Sequence, residues 1–415
     1  MLAPYRTILA LPGALAFSGA GLLARMPASM MGLSLILLLF AERGSYALAG
    51  QVTASYVLLA AVVSPFQARL VDRHGQRAVL LPLSLVNLAA KVAMVLSVTS
   101  DLPSPLPHLC AAAGGATSPL VGAYARARWS ALLGDRPELR AAYALESLVE
   151  DLCAVVGPPL ATLLATVLSP LAGLVVAIGC GFAGTTLFAV QRRTQPLPKP
   201  RGQRSRDPLG VSRLGPVCLI TAGLGLLSGS VNVTIVAFYS EQGSAGLSGL
   251  VLGAVAAASV LAALVVGAVA PPPHRLVRLA ALATAVLSVC LPLVATVPSG
   301  AVVLVGVAVT LLAFTAAPAT IATFTLVERL TPASRLSEAI AWTTSFLLGG
   351  YALGGALAGT AIDHFHAPTA FLIPPTAALV TACFAFLIPA AKSAPTKASG
   401  EKALDTNDVR SAEFD

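Results

Sequence analysis

Apolar runs of about 18 to 25 residues recur along almost the whole chain, each long enough to cross a hydrocarbon layer of roughly 30 Å as a helix. In lipid every backbone N–H and C=O must find its partner inside the protein, so only helices and closed barrels remain possible. The runs are continuous and do not alternate in polarity, which predicts helices and argues against a barrel. Composition points the same way. The chain is 56% apolar and 11% charged, which excludes a soluble domain. The formal charge of +8 is no sign of nucleic-acid binding, because the basic residues are spread over short loops with no long basic face.

The pattern predicts an all-α integral membrane protein with about twelve transmembrane helices in two six-helix halves. The first half, 1–190, holds spans at 11–40, 47–67, 78–99, 106–124, 141–168 and 171–190. A linker follows at 191–213, with four prolines and seven Lys or Arg. The second half, 214–390, holds spans at 214–239, 247–270, 276–297, 301–327, 339–361 and 370–390. The tail, 391–415, is polar, lacks an apolar face and is expected to be disordered. The first apolar run continues past Arg25 to Phe40, too long for the apolar region of a signal peptide. The six cysteines all fall inside apolar runs and none forms C-x-x-C, so they read as small buried hydrophobes.

Loop charges set the orientation. Arg6, the 69–77 loop, the 126–140 loop, the linker, 274–278, 328–335 and the tail carry nearly all the Lys and Arg and share one side. The other side has Arg43 with Glu42, Asp101, Glu241 and Asp363. The positive-inside rule then puts both termini and the linker in the cytoplasm, which is consistent with an even number of spans. The halves read as weak repeats, with Pro119 in the fourth span matched by Pro318 in the tenth.

Between the second and third spans lies a charged knot, A-R-L-V-D-R-H-G-Q-R, from Ala68 to Arg77. It resembles the signature G-x-x-x-D-R-x-G-R-R that the major facilitator superfamily of secondary transporters carries at this place. Asp72, Arg73, Gly75 and Arg77 fall in register, while Ala68 and Gln76 depart from it. The resemblance covers the chain from about Tyr5 to Ala390. It implies two six-helix halves and alternating access, with the Asp72 loop gating the cytoplasmic ends. Gly75 permits the tight turn. The other reading of this loop is a plain topology anchor, but an Asp opposes that signal.

Charges inside spans cost several kcal/mol unless paired or hydrated. Arg25 lies near mid-membrane in the first span, and Glu146, Glu150 and Asp151 lie in the fifth. Glu146 and Glu150 are four residues apart and share a face. In the resembling fold these two spans are neighbours, so Arg25 is expected to meet Glu150 or Asp151. The pair is either a proton or substrate relay or a static bridge; Glu146, nearer the end of its span, leans towards a structural or gating role. Lys91 is expected to snorkel near the outer interface.

The resemblance also implies that neutral polar residues on the first, fourth, seventh and tenth spans line the substrate cavity. They are Ser29, Thr117, Ser228, Ser230, Asn232, Thr234 and Thr320, with Tyr56 and Trp342 able to stack on a substrate. Taken singly, a Ser or Thr in a span more often bonds back to its own helix. Gly157-Pro158-Pro159 and the glycines of 349–359 offer smooth faces for close helix packing. Drug–proton antiporters of the superfamily commonly carry an Arg in the fourth helix; the span 106–124 has none.

No P-loop, H-E-x-x-H or G-x-S-x-G is present, so an enzyme is not expected and no cofactor is implied. Asp363, His364 and His366 read as a solvated external turn in preference to a metal site. The function expected is proton-coupled efflux of a small hydrophobic or amphipathic molecule by a monomer in a bacterial cytoplasmic membrane. The alternatives are an uptake permease whose Arg25 holds a carboxylate, or a transport-inactive scaffold or sensor.

Overall fold

The computed structural model describes residues 3–100, 102–103, 105–134, 136, 138–196, 211–269, 272–297, 301–331 and 336–387. The predicted tail and most of the linker lie outside the described residues. Among these residues the chain is helical and holds no strand. The helices are α1 (Ala3–Leu9), α2 (Ala14–Arg43), α3 (Tyr46–His74), α4 (Gln76–Thr99), α5 (Pro105–Ala116), α6 (Val121–Leu133), α7 (Leu139–Val167) and α8 (Ala172–Val190). They continue as α9 (Val211–Glu241), α10 (Ala245–Val269), α11 (Pro273–Ala295), α12 (Ala301–Leu330), α13 (Leu336–Phe365), α14 (Ala367–Ala370) and α15 (Ile373–Leu387).

Eleven segments are long and apolar enough to cross a membrane, counting Ala367–Leu387 as one. The exception is the fourth span, expected as one helix over 106–124. It is broken into α5 and α6 around Thr117–Leu120. Proline at 119 removes an N–H, and the break frees carbonyls at membrane depth. Two amides from neighbouring helices take them. Asn87 Nδ2 donates to Gly114 O at 2.7 Å and to Thr117 Oγ1 at 3.1 Å, and Gln67 Nε2 donates to Ala116 O. Tyr56 OH and Ser118 Oγ share a hydrogen bond of 2.7 Å beside them. The weak repeat ends here, because α12 runs unbroken through Pro318. Asn87→Ala removes the nearest donor to Gly114 O, which Ser118 Oγ still reaches at 3.1 Å, so the loss is that of one hydrogen bond, about 0.5–1.5 kcal/mol. The expected result is a lower melting temperature in detergent; unchanged melting would show that the break is held by other means.

Helix ends follow local chemistry. Gly75 is the single residue between α3 and α4, at φ 86°, a value that only glycine adopts cheaply. Ser45 caps α3 by accepting from Leu48 N. At the same end Arg43 donates to the carbonyls of Ser97, Val98 and Leu102, closing the C-terminus of α4.

Helix α2 packs on α7 and α8, and α3 and α4 on α5, while in the second half α9 packs on α13 and α15, and α12 on α10 and α11. The two groups meet chiefly where α3 lies along α13 and α7 along α10. Missing side chains allow these approaches. A Cβ on Gly50 would sit 2.5 Å from Gly355 O, and one on Gly253 would sit 3.0 Å from Val155 O. Gly350 and Gly354 lie in the same way against Ala222 and Leu226 of α9, so α13 offers glycine to both neighbours. All the inter-group approaches named lie towards the Ser45 end. Of the cysteines, Cys153 and Cys218 are buried while Cys290 and Cys383 are exposed, correcting the expectation that all six are buried.

Candidate functional site

Helices α2, α6 and α7 converge on the charged residues. Arg25 of α2 is 7% exposed, and Glu146 of α7 is 0% exposed. Arg25 Nη2 donates to Glu146 Oε2, and Trp129 Nε1 of α6 donates to Glu146 Oε1 at 2.7 Å. Glu146 is therefore sealed and satisfied on both oxygens. Its ring partner Trp129 is itself edge-on to Phe17 at 4.7 Å.

One turn on, the second carboxylate behaves differently. The Glu150 side chain is 42% exposed. Its Oε2 accepts from Arg126 Nη2 at 2.7 Å, and its Oε1 lies 3.9 Å from Arg25 Nε. Gly122 makes this possible, because a Cβ there would collide with Glu150 Oε1 and lie 3.3 Å from Arg25 Nε. Asp151, a further 100° round the helix, forms no ion pair among the described residues. In place of the expected meeting of Arg25 with Glu150 or Asp151, Arg25 bonds to Glu146, approaches Glu150 more loosely and forms no ion pair with Asp151 among the described residues.

These groups border a cavity of about 480 Å³ whose walls include Arg25, Ser29, Pro119, Gly122, Arg126 and Glu150. The break in the fourth span supplies one side of it. Among the described residues Arg25 Nε and Nη1 are buried with no hydrogen-bond acceptor.

The fourth span is not devoid of arginine. The helix restarts after Pro119 and continues to Leu133, which brings Arg126 and Arg128 onto it. The sequence pattern places both in the 126–140 loop, since the apolar run fades at Tyr124. The signal available in the sequence was A-R-A-R-W, whose two arginines lie about 200° apart on a helix. Arg126 accordingly faces the cavity, and Arg128 is fully buried.

The other candidates are dispersed. Ser29 donates to Met26 O at 3.1 Å, Thr117 to Ala113 O at 2.7 Å, Ser228 to Leu224 O at 2.9 Å, Ser230 to Leu227 O at 2.9 Å and Thr320 to Ala316 O at 3.3 Å. Each hydroxyl is thus bonded back to its own helix. Asn232 Oδ1 and Thr234 Oγ1 are buried without a partner among the described residues. Of these, only Ser29 borders the Arg25 cavity. Trp342 is exposed on a separate apolar groove of about 810 Å³ between α9, α13 and α15. Lys91 does not snorkel: it is 3% exposed, with Nζ 5.7 Å from the centre of the Tyr56 ring. Gly114 and Tyr56 pack around its stem, which holds it inside the bundle.

The stretch expected as a loop at 69–77 is helical apart from Gly75, with Asp72 in the last turn of α3 and Arg77 in the first turn of α4, and it lies at the surface. Asp72, Arg73 and His74 are exposed and Arg77 is half-buried. Among the described residues Asp72 forms no ion pair. At the opposite end Asp363 of α13 is engaged with the other half. It accepts from Ser45 Oγ at 2.6 Å and from the N–H groups of Tyr46 and Ala47 at 2.9 Å each, across the start of α3. Asp363, His364 and His366 are exposed, as a solvated turn requires, and Asp363 in addition caps α3 across the two halves.

Residues 17–322 match the family model described as Major Facilitator Superfamily. No curated protein sequence matches the chain. Among solved structures, the nucleoside transporter NupG aligns with a TM-score of 0.70 at 14% identity, over 90% of this chain and 99% of that one. An auto-inhibited peptide transporter of the POT family aligns at 0.68 and 13%, over 90% and 95%. A bacterial homologue of the iron transporter ferroportin, in an inward-facing state, aligns at 0.63 and 15%, over 88% and 97%. At such identities the likeness is one of fold.

Proposed function

The chain belongs to the major facilitator superfamily, and from that footing we propose that it is a secondary active transporter exporting a small hydrophobic or amphipathic molecule in exchange for protons. The observation that carries this reading is the contrast between its two carboxylates. Glu146 is sealed between Arg25 and Trp129, whereas Glu150 is 42% exposed on the cavity and shared between two arginines. A group that loads and releases a proton in each cycle needs access to water and a partner that can let go. Glu150 has both. Glu146 holds Arg25 in place, and Arg126 neutralises Glu150 when the proton leaves.

Alternating access supplies the route. The halves touch at the Ser45 end, closed by Asp363 and the glycine contacts. The Gly75 end carries the Asp72 gate loop and most of the loop arginines, and the positive-inside rule makes it cytoplasmic, with both termini. On this reading the protein works as a monomer in a bacterial cytoplasmic membrane and the site faces inwards. An amphipathic molecule suits the cavity, because its charges pair off and its other walls are small and apolar. One observation favours uptake instead: the acceptor-free Nε and Nη1 of Arg25 suit a substrate carboxylate.

The test is flux of fluorescent amphipathic dyes in proteoliposomes under an imposed pH gradient. Wild type and Asp151→Asn are expected to accumulate dye. Glu150→Gln is expected to fold and exchange dye but to lose gradient-driven accumulation by at least tenfold, since an amide carries no proton. Full accumulation by Glu150→Gln would remove this residue from coupling.

A further inference from the structure

A second cluster of charge lies away from the transport cavity. Arg128 of α6 is fully buried, and all its partners are neutral. Its Nε donates to Gln76 Oε1 at 2.7 Å, Nη1 to Gln191 Oε1 at 2.8 Å and to Thr194 Oγ1 at 3.2 Å, and Nη2 to Phe188 O at 2.8 Å. The guanidinium also lies 3.8 Å from the centre of the Phe188 ring. The two glutamines are tied again from behind, Gln76 to Tyr124 O at 3.1 Å and Gln191 to Gly13 O at 2.7 Å.

Each glutamine is followed in sequence by an arginine, Arg77 and Arg192. One buried cation thus fixes the backbone positions of two further cations at the start of α4 and the end of α8. Both border a cavity of about 650 Å³, together with His74, Leu81 and Pro82. Among the described residues neither arginine has a carboxylate partner. An ordinary topology anchor extends freely into water. These two instead line one recess, with Arg77 half-buried.

The recess opens onto lipid. Ala78, Pro82, Leu85 and Ala89 are exposed along one face of α4, and Leu187 and Val190 are exposed at the end of α8, which packs beside it. An apolar track therefore runs from the two arginines into the bilayer. We infer that this recess is a binding site for an anionic membrane phospholipid. Its phosphate sits between Arg77 and Arg192, and its acyl chains lie on the Pro82–Leu85 and Leu187–Val190 surface. Guanidinium groups match phosphate oxygens in fork geometry, and basic pockets between membrane helices suit anionic headgroups.

The test uses the full chain, delipidated in a neutral detergent, with melting temperature as readout. Phosphatidylglycerol is expected to raise the wild-type melting temperature by several degrees, while phosphatidylcholine and millimolar inorganic phosphate have little effect. In R77Q/R192Q that gain is expected to fall by more than half. In R69Q, which removes an exposed arginine of the same end outside the recess, the gain is expected to persist. Arg192 is exposed, so R192Q alone serves if the double variant does not fold. Native mass spectrometry is expected to show one fewer retained phosphatidylglycerol on the variant. An undiminished gain in the variant, an equal loss in R69Q, or an equal effect of phosphatidylcholine would overturn the site. A matching effect of inorganic phosphate would show a free-anion site and overturn the lipid.

Discussion

Glu146→Ala is expected to abolish stable insertion or to lower the melting temperature more than any other single change proposed for this protein. Removing the carboxylate leaves Arg25 buried with its charge uncompensated, which typically costs about 3–5 kcal/mol. Glu150 offers Arg25 little relief, because it is 3.9 Å away and already engaged with Arg126. Trp129 Nε1 loses its acceptor at the same time. The check is a double variant. Replacing both charges by apolar residues, Arg25→Met with Glu146→Leu, removes the orphan charge and is expected to restore most of the stability, the remainder being the acceptor that Trp129 Nε1 still lacks. Wild-type melting in Glu146→Ala would show that the bridge contributes nothing to the bundle.

Asp363→Ala is expected to have the second largest effect, on conformation more than on folding. Asp363 joins the halves through three hydrogen bonds to the start of α3, two of them to backbone N–H groups at the positive end of the helix. A hydrogen bond to a charged group contributes about 1.5–3 kcal/mol net. Two of the three bonds lie in solvent, so the set is taken at about the worth of one such bond, and losing it while Ser45 keeps its own cap to Leu48 shifts a two-state equilibrium by roughly ten- to a hundredfold. Spin labels at Leu163 on α7 and Leu250 on α10, both exposed near that end, report it. A longer-distance population is expected to appear in Asp363→Ala. An unchanged distance distribution would show that the cap does not bias the Ser45 end.

Much of the fold was legible because lipid leaves the chain few choices. Hydropathy located eleven spans, all but one within about four residues; the second, expected to end at Gln67, runs on to His74, where Gly75 marks a turn that only glycine makes cheaply. The fourth span was not legible. Its break depends on Asn87 and Gln67, amides from two other helices, and no local pattern announces them. That misreading also moved Arg126 and Arg128 off the helix. Within the site, the spacing of Glu146 and Glu150 put both on one face. It did not reveal that Trp129 seals the first while Gly122 leaves the second open to Arg25. In a span that is apolar all round, periodicity no longer tells which face is buried, so partners emerge only from packing. The same limit hid Asp363, which read as a loop charge until α3 was placed against it.

Exchange as proposed moves substrate and proton through one site in opposite directions, with Glu150 as the carrier. The direct measurement is proton movement into dye-loaded proteoliposomes containing trapped pyranine, with no imposed pH gradient. An outward gradient of the transported dye is expected to drive protons inward and acidify the lumen in wild type, while Glu150→Gln shows no dye-dependent change. Dye efflux from wild-type liposomes with no pH change, or acidification of equal size in Glu150→Gln, would contradict the account.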